Sequence, residues 1–167
     1  MHWPSVIRCW SLLMRDRLIL LPGWGLGTAA LEPLAASLRA LDAKLHVELM
    51  PLPELDGSDV PVWLDHLDRT LPTDTWLGGW SLGGMLAAEL AARRGDHCCG
   101  LVTLGSNASF VARSDALVPV EAAKALFELL QDVEVGIVED SAHAFLLEHA
   151  QALATFIKTF LHESGDD

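Results

Sequence analysis

A chain of 167 residues is long enough for one domain with a real core and short for two. With 51% hydrophobic and 20% charged residues it is globular and not disordered. Its net charge of −12 argues against nucleic acid, anionic membrane surfaces and acidic docking partners; the densest basic pair is Arg93-Arg94, read as two cations closing a helix.

Residues 1–14 (MHWPSVIRCWSLLM) hold two tryptophans and Arg8 but no continuous apolar run and no small-residue cleavage site. They read as a poorly ordered extension, with Met14 as an alternative start, and neither as a signal peptide nor as a membrane span. A single domain is expected over 15–163, followed by a frayed tail at 164–167.

Residues 18–22 (LILLP) form an apolar run that predicts a buried parallel strand. A glycine-rich loop, GWGLG, follows at 23–27. It lacks the later glycine and the acidic residue of a dinucleotide site. A helix is predicted over 29–41, because Leu31, Leu34, Ala35, Leu38 and Leu41 recur at helical spacing. Residues 44–50 alternate, with Leu45, Val47 and Leu49 on one side, which predicts an edge strand. A helix over 59–69 is expected to present Val62, Trp63, Leu67 and Thr70 on one face, with Pro61 in its first turn.

The stretch 75–90 (TWLGGWSLGGMLAAEL) reads as strand, sharp turn and helix, the helix running over 82–94 with Gly95 ending it. Cys98 and Cys99 fall in a helix-to-strand connection, and residues 100–105 predict another buried strand. A polar loop follows over 106–118, then a helix over 119–131, a strand over 133–138, a loop at 139–144 and a last helix over 150–162. Strands and helices alternate throughout. The expectation is an α/β fold: a three-layer sandwich whose mainly parallel sheet has about five strands, with ligands at the carboxyl ends of those strands.

The chemistry centres on Gly79-Trp80-Ser81-Leu82-Gly83, a G-x-S-x-G pattern between an apolar strand and a good helix former. This is the setting of a nucleophile elbow: glycines let the two arms approach, and the serine is lifted to the mouth of the sheet. A serine hydroxyl needs a base. His143, in the loop after the last predicted strand, is the candidate and His149 the other contender; His46, His66, His97 and His162 read as exposed or capping residues. In the chain order serine, acid, histidine, Asp115 is the candidate acid, with Asp140 as the alternative and Asp132 near the wrong end of a helix. The expected oxyanion donors are the backbone amides of Trp24 and Leu82. Three cysteines give no disulfide framework, and the absence of C-x-x-C and H-E-x-x-H patterns speaks against a metal site, so no metal or cofactor is expected.

Together, LLPGWGL at 20–26, GWSLGG at 79–84, LVTL at 101–104, DALVP at 115–119 and SAHA at 141–144 resemble the pimeloyl-acyl carrier protein methyl ester esterases of biotin synthesis. That family comprises cytoplasmic α/β-hydrolase carboxylesterases, and the resemblance runs in blocks over about residues 14–161. It implies Ser81 as nucleophile, Asp115 as acid, His143 as base and Trp24 and Leu82 as oxyanion amides. It further implies a small ester substrate, a cytoplasmic location and no cofactor. Members carry a helical cap after the strand matching 101–104 and a further strand before the acid. Here about ten residues join that strand to Asp115, so cap and strand are expected to be absent, and Pro22 stands where the family has histidine. The resemblance implies acyl carrier protein as a partner; in the family the cap meets it, so specificity for that carrier is expected to be weaker here. Three readings follow from the sequence. They are a serine carboxylesterase, a cap-less degenerate hydrolase with weak small-ester activity or a binding role, and a serine hydrolase of amides or thioesters.

Overall fold

The computed structural model describes residues 16–54, 60–105, 146 and 149–163. The predicted helix over 119–131, the strand over 133–138, the loops around them, residues 1–14 and the tail lie outside the described residues.

Among the described residues there are four strands: β1 (Arg17–Leu21), β2 (His46–Leu49), β3 (Thr75–Trp80) and β4 (Cys98–Leu104). They pair in the order β2-β1-β3-β4, and every pairing is parallel. The helices are α1 (Glu32–Leu41), α2 (Val60–Thr70), α3 (Leu82–Arg94) and α4 (Ala150–Glu163). β1 and β3 are central and covered on both faces, which is why their sequences are nearly continuous apolar runs. β2 is terminal among the described strands, as its alternating sequence implies.

The layering follows from the order of travel. A right-handed crossover puts its helix on a face set by the direction in which the chain moves along the sheet. The step from β1 to β2 goes one way; the steps from β2 to β3 and from β3 to β4 go the other. So α2 and α3 must share a face opposite to α1. The core divides accordingly. Leu18 and Leu20 of β1 pack with Leu34, Ala35 and Leu38 of α1 and Leu153, Ala154 and Ile157 of α4. Ile19 and Leu21 pack with Leu64 and Leu67 of α2 and Leu86, Ala87 and Leu90 of α3. The two-residue period of β1 thus feeds both cores.

Local departures from the sequence reading have physical causes. The helix expected over 29–41 divides into a 3-10 turn at Thr28–Leu31 and then α1. Pro33 has no N–H to donate to Ala29, and Glu32 donates to that carbonyl instead. β4 starts at Cys98, so the two cysteines belong to the strand, not to the connection before it. Its register against β3 shifts at Thr75/Trp76, where the Trp76 ring covers Gly100 so closely that no Cβ would fit. Helix α2 buries Leu64 and Leu67 and leaves Val62 exposed, so its core face is rotated from the one expected.

The amino ends of the strands are clamped by charge. Arg94 does more than face the end of its own helix. Its buried guanidinium turns to the end of α2 and donates to the Asp68 carboxylate at 2.8 Å. It also donates to the carbonyls of Asp68 at 3.0 Å, Leu71 at 2.9 Å and Pro72 at 2.6 Å. These are carbonyls that a helix end leaves without partners. Nearby, Arg93 pairs with Asp65 at 2.7 Å. Beside the end of α1, Asp42 accepts from the Lys44 N–H at 2.9 Å and meets His162 Nε2 at 3.0 Å, while Lys158 donates to the Leu41 carbonyl at 3.2 Å. The Asp42 carboxyl is held below its ordinary value, chiefly by the Lys44 amide and, secondarily, by His162.

Candidate active site

The strand order reverses between β1 and β3: the chain leaves β1 toward β2 on one side and leaves β3 toward β4 on the other. In open parallel sheets the crevice at such a point, outside the carboxyl ends of the strands, is where ligands bind. Ser81 stands there. It is the residue between β3 and α3, with φ 54° and ψ −119°. A non-glycine residue in this region of backbone space is strained by about 1–3 kcal/mol and persists only where the surroundings enforce it.

The surroundings can be named. A Cβ on Gly79 would stand on the backbone of Gly83, and a Cβ on Gly83 would stand on the carbonyl oxygens of Leu21 and Pro22. Gly79 therefore lets the strand close onto Gly83, and Gly83 lets the helix lie directly against the end of β1. The Ser81 N–H donates to the Leu104 carbonyl at 2.9 Å, which ties the turn to β4 as well. The Ser81 carbonyl accepts from the Gly84 and Met85 N–H groups at 3.1 and 3.2 Å and starts the helix. Its side chain, in contrast, makes no capping bond to α3. A serine at a helix start ordinarily spends its hydroxyl on the first amides. Here the backbone conformation withholds it.

Leu82 opens α3, so its N–H has no acceptor four residues back within the helix, and the positive end of the helix dipole points at the crevice. The loop after β1 completes the mouth. A Cβ on Gly23 would come 3.5 Å from the Ser81 Cβ and 3.3 Å from the Trp80 ring. The backbone entering Trp24 thus passes beside the serine. The structure brings Trp24, Ser81 and Leu82 together at one rim, and this is an arrangement suited to holding an anionic oxygen on backbone amides.

Asp115, His143 and the alternatives Asp132 and Asp140 lie outside the described residues. His149 is described: it directly precedes α4, and its carbonyl accepts the Leu153 N–H at 3.0 Å. Among the described residues, no hydrogen bond reaches the Ser81 hydroxyl and no three His, Cys, Asp or Glu side chains gather into a metal-binding group. No helix among them is long and apolar enough to cross a membrane. One feature of the rim escaped the sequence reading: Trp63 of α2 stacks beside Trp24, ring centroids 6.1 Å apart and planes tilted by 34°. The available signal was a tryptophan among Val60, Pro61 and Val62, in the turn that starts a helix where a strand has ended.

Known proteins point the same way. A family model described as the alpha/beta hydrolase fold matches residues 58–164. The pimeloyl-[acyl-carrier protein] methyl ester esterase of Shewanella woodyi is 38% identical over 112 residues, covering 63% of this chain and 41% of that protein. The enzyme of the same name from Aromatoleum aromaticum is 34% identical over 134 residues, covering 77% of this chain and 51% of that protein. The resemblance drawn from the sequence blocks is borne out by these relatives, of which the chain spans about half the length or less. A solved structure from Xanthomonas campestris pv. campestris, assigned to the alpha/beta hydrolase superfamily, shares the fold with a TM-score of 0.64 at 20% identity, over 87% of this chain and 96% of that one. With a parallel sheet, a serine elbow at the reversal of strand order and a family match over more than half of its length, the chain belongs to the alpha/beta hydrolase fold family.

Proposed function

We propose that the chain is a serine carboxylesterase of the pimeloyl-acyl carrier protein methyl ester esterase type. The observation that carries the reading is Ser81: a strained backbone at the crevice, a hydroxyl withheld from capping, and a helix N-terminus behind it. In this reading Ser81 Oγ attacks the ester carbonyl as His143 takes its proton, and Asp115 holds the imidazole in the productive tautomer. The negative oxygen of the tetrahedral intermediate rests on the Trp24 and Leu82 amides. The C–O bond to the leaving alcohol breaks as His143 returns the proton to it. Water, deprotonated by His143, then attacks the acyl-enzyme and restores the serine.

The names of the relatives supply the substrate class, an acyl methyl ester with a small leaving alcohol. Acyl carrier protein as the carrier, a place in biotin synthesis and a cytoplasmic location belong to the same proposal. A second reading, a scaffold that keeps the elbow without turnover, is favoured by one observation: only ten residues separate Leu104 from Asp115 in the sequence.

The test is hydrolysis of p-nitrophenyl acetate, butyrate and octanoate by the purified chain beside Ser81→Ala, with fluorophosphonate labelling of both. The esterase reading expects Ser81→Ala to lose about a thousandfold or more of kcat/KM and all labelling. Equal background rates in two folded proteins would select the scaffold reading.

A further inference from the structure

Two segments far apart in the chain deliver the rim amides: the loop after β1 brings Trp24, and the start of α3 brings Leu82. Leu82 follows Ser81, whose backbone is hydrogen-bonded to β4 and into its own helix. The loop after β1 is positioned by packing. Its first residues, Pro22 and Gly23, are buried, and the chain surfaces only at Trp24. What Gly23 lies on is the indole of Trp80: a Cβ on Gly23 would come 3.3 Å from Trp80 Cε3 and 3.6 Å from Cδ2. That indole is itself buried, in the core cluster that holds Leu18 and Leu20 of β1, Leu31 at the end of the 3-10 turn, Leu104 of β4 and Leu146. Trp80 thus meets both halves of the rim. Its backbone is bonded to Ser81, and its ring supports the residue before Trp24.

We infer that Trp80 is a positioning residue for the oxyanion site, its indole fixing the distance between Ser81 and the Trp24 N–H. The inference rests on the esterase reading and deepens it. The Trp24 N–H belongs to a planar peptide unit whose other side is the Gly23 carbonyl, so where Gly23 rests decides where that N–H points. A donor to the anionic oxygen has to stand about 2.7–3.1 Å from it. A misplacement of about 1 Å costs about a hundredfold in rate. A large ring locked in a close-packed cluster sets a spacing to that tolerance. In this role the ring acts through the Gly23–Trp24 peptide and needs no contact with the ester.

The experiment compares kcat and KM for p-nitrophenyl butyrate in wild type, Gly23→Ala, Trp80→Phe and the double variant, each shown to be folded by its thermal transition. Gly23 is not at positive φ, so alanine there meets the ring and not a backbone penalty. The contact is tight enough that ring or loop must give by a few tenths of an ångström, and the ring is locked in the core. Positioning requires kcat to fall about five- to tenfold in Gly23→Ala, with KM within about twofold and the pH profile of kcat/KM unchanged. Phenylalanine lacks Cε3, the carbon nearest Gly23. Trp80→Phe therefore lowers kcat by a similar factor and leaves space that the alanine methyl fills, so Gly23→Ala must cost less than about twofold in that background. Equal costs in the two backgrounds, or a loss carried by KM alone, overturn the positioning role. If Trp80→Phe does not fold, the split between kcat and KM in Gly23→Ala decides by itself. Wild type without Ser81-dependent turnover sinks the esterase reading and the positioning role with it, whereas turnover that Gly23→Ala leaves unchanged sinks the positioning role alone.

Discussion

The two ends of the sheet are built on opposite principles. At the amino ends, side chains finish what the backbone leaves undone: Arg94 donates to three carbonyls beyond its own helix, and Asp42 collects an amide and an imidazole. At the carboxyl ends the backbone is strained at Ser81, a serine hydroxyl is withheld from capping, and tryptophan faces water. The contrast teaches where this molecule is stabilised and where it spends stability on chemistry. A strained residue survives only if other regions over-determine it.

The largest break in the comparison should come from the stabilising end. Arg94→Met keeps much of the apolar stem and takes the guanidinium away from the carbonyls of Asp68, Leu71 and Pro72, the last of which keeps the Thr75 hydroxyl at 3.4 Å. The Asp68 carboxylate is half exposed and resolvates, so the cost is about 2–3 kcal/mol, less than for a fully buried pair. For a chain of this size that is a fall in Tm of about 5–10 °C. Calorimetry checks it, and the kcat/KM of the folded fraction should stay at the wild-type value.

A smaller effect of opposite sign should follow at the strained end. Glycine occupies φ 54° and ψ −119° without the Cβ penalty, so Ser81→Gly should abolish turnover and stabilise the chain by about 1 kcal/mol, after the entropy that glycine adds to the unfolded state. A destabilised Ser81→Gly in urea denaturation would mean that the turn is not under strain.

The smallest effect is pH-linked. The folded pKa of Asp42 lies below its unfolded value, so its contribution is full above the ordinary carboxylate range and is lost as pH falls through the folded value. Asp42→Asn should lower Tm at pH 7, and the difference from wild type should shrink progressively as pH falls below the ordinary carboxylate range. A pH-independent difference would place the effect in packing instead.

The elbow was legible in the sequence because steric demand writes itself into composition. Only glycine fits where Gly79 meets Gly83 and where Gly83 meets β1, so the spacing of the motif is the geometry of the turn. The bounds of α3 follow equally, from the serine before it and Gly95, at positive φ, after it. The reach of Arg94 was not legible, because its partners are backbone carbonyls more than twenty residues away, and any residue type supplies a carbonyl. The burial of α2 was misjudged for a related reason. Apolar patterning reports a preference for leaving water, and at the rim Val62 has that character while remaining exposed. Of the proposed triad, the serine was readable through its local sterics. Asp115 and His143 rest on loop position and chain order, which carry no comparable local signature.

The anchoring of Ser81 has a consequence for how such a chain can change over generations. Its turn is held by the end of β1 through Gly83 and by the end of β4 through the Leu104 carbonyl. Among the described residues, the backbone contacts that fix the serine all precede residue 105. Loops beyond that point can lengthen, shorten or be exchanged without touching the turn itself, provided Leu146 and α4 keep their packing against Trp80, Leu104 and β1. Diversification of this scaffold, by lineage or by library, is free to work downstream of Leu104 on whatever covers the mouth, with the attacking group inherited as a finished part.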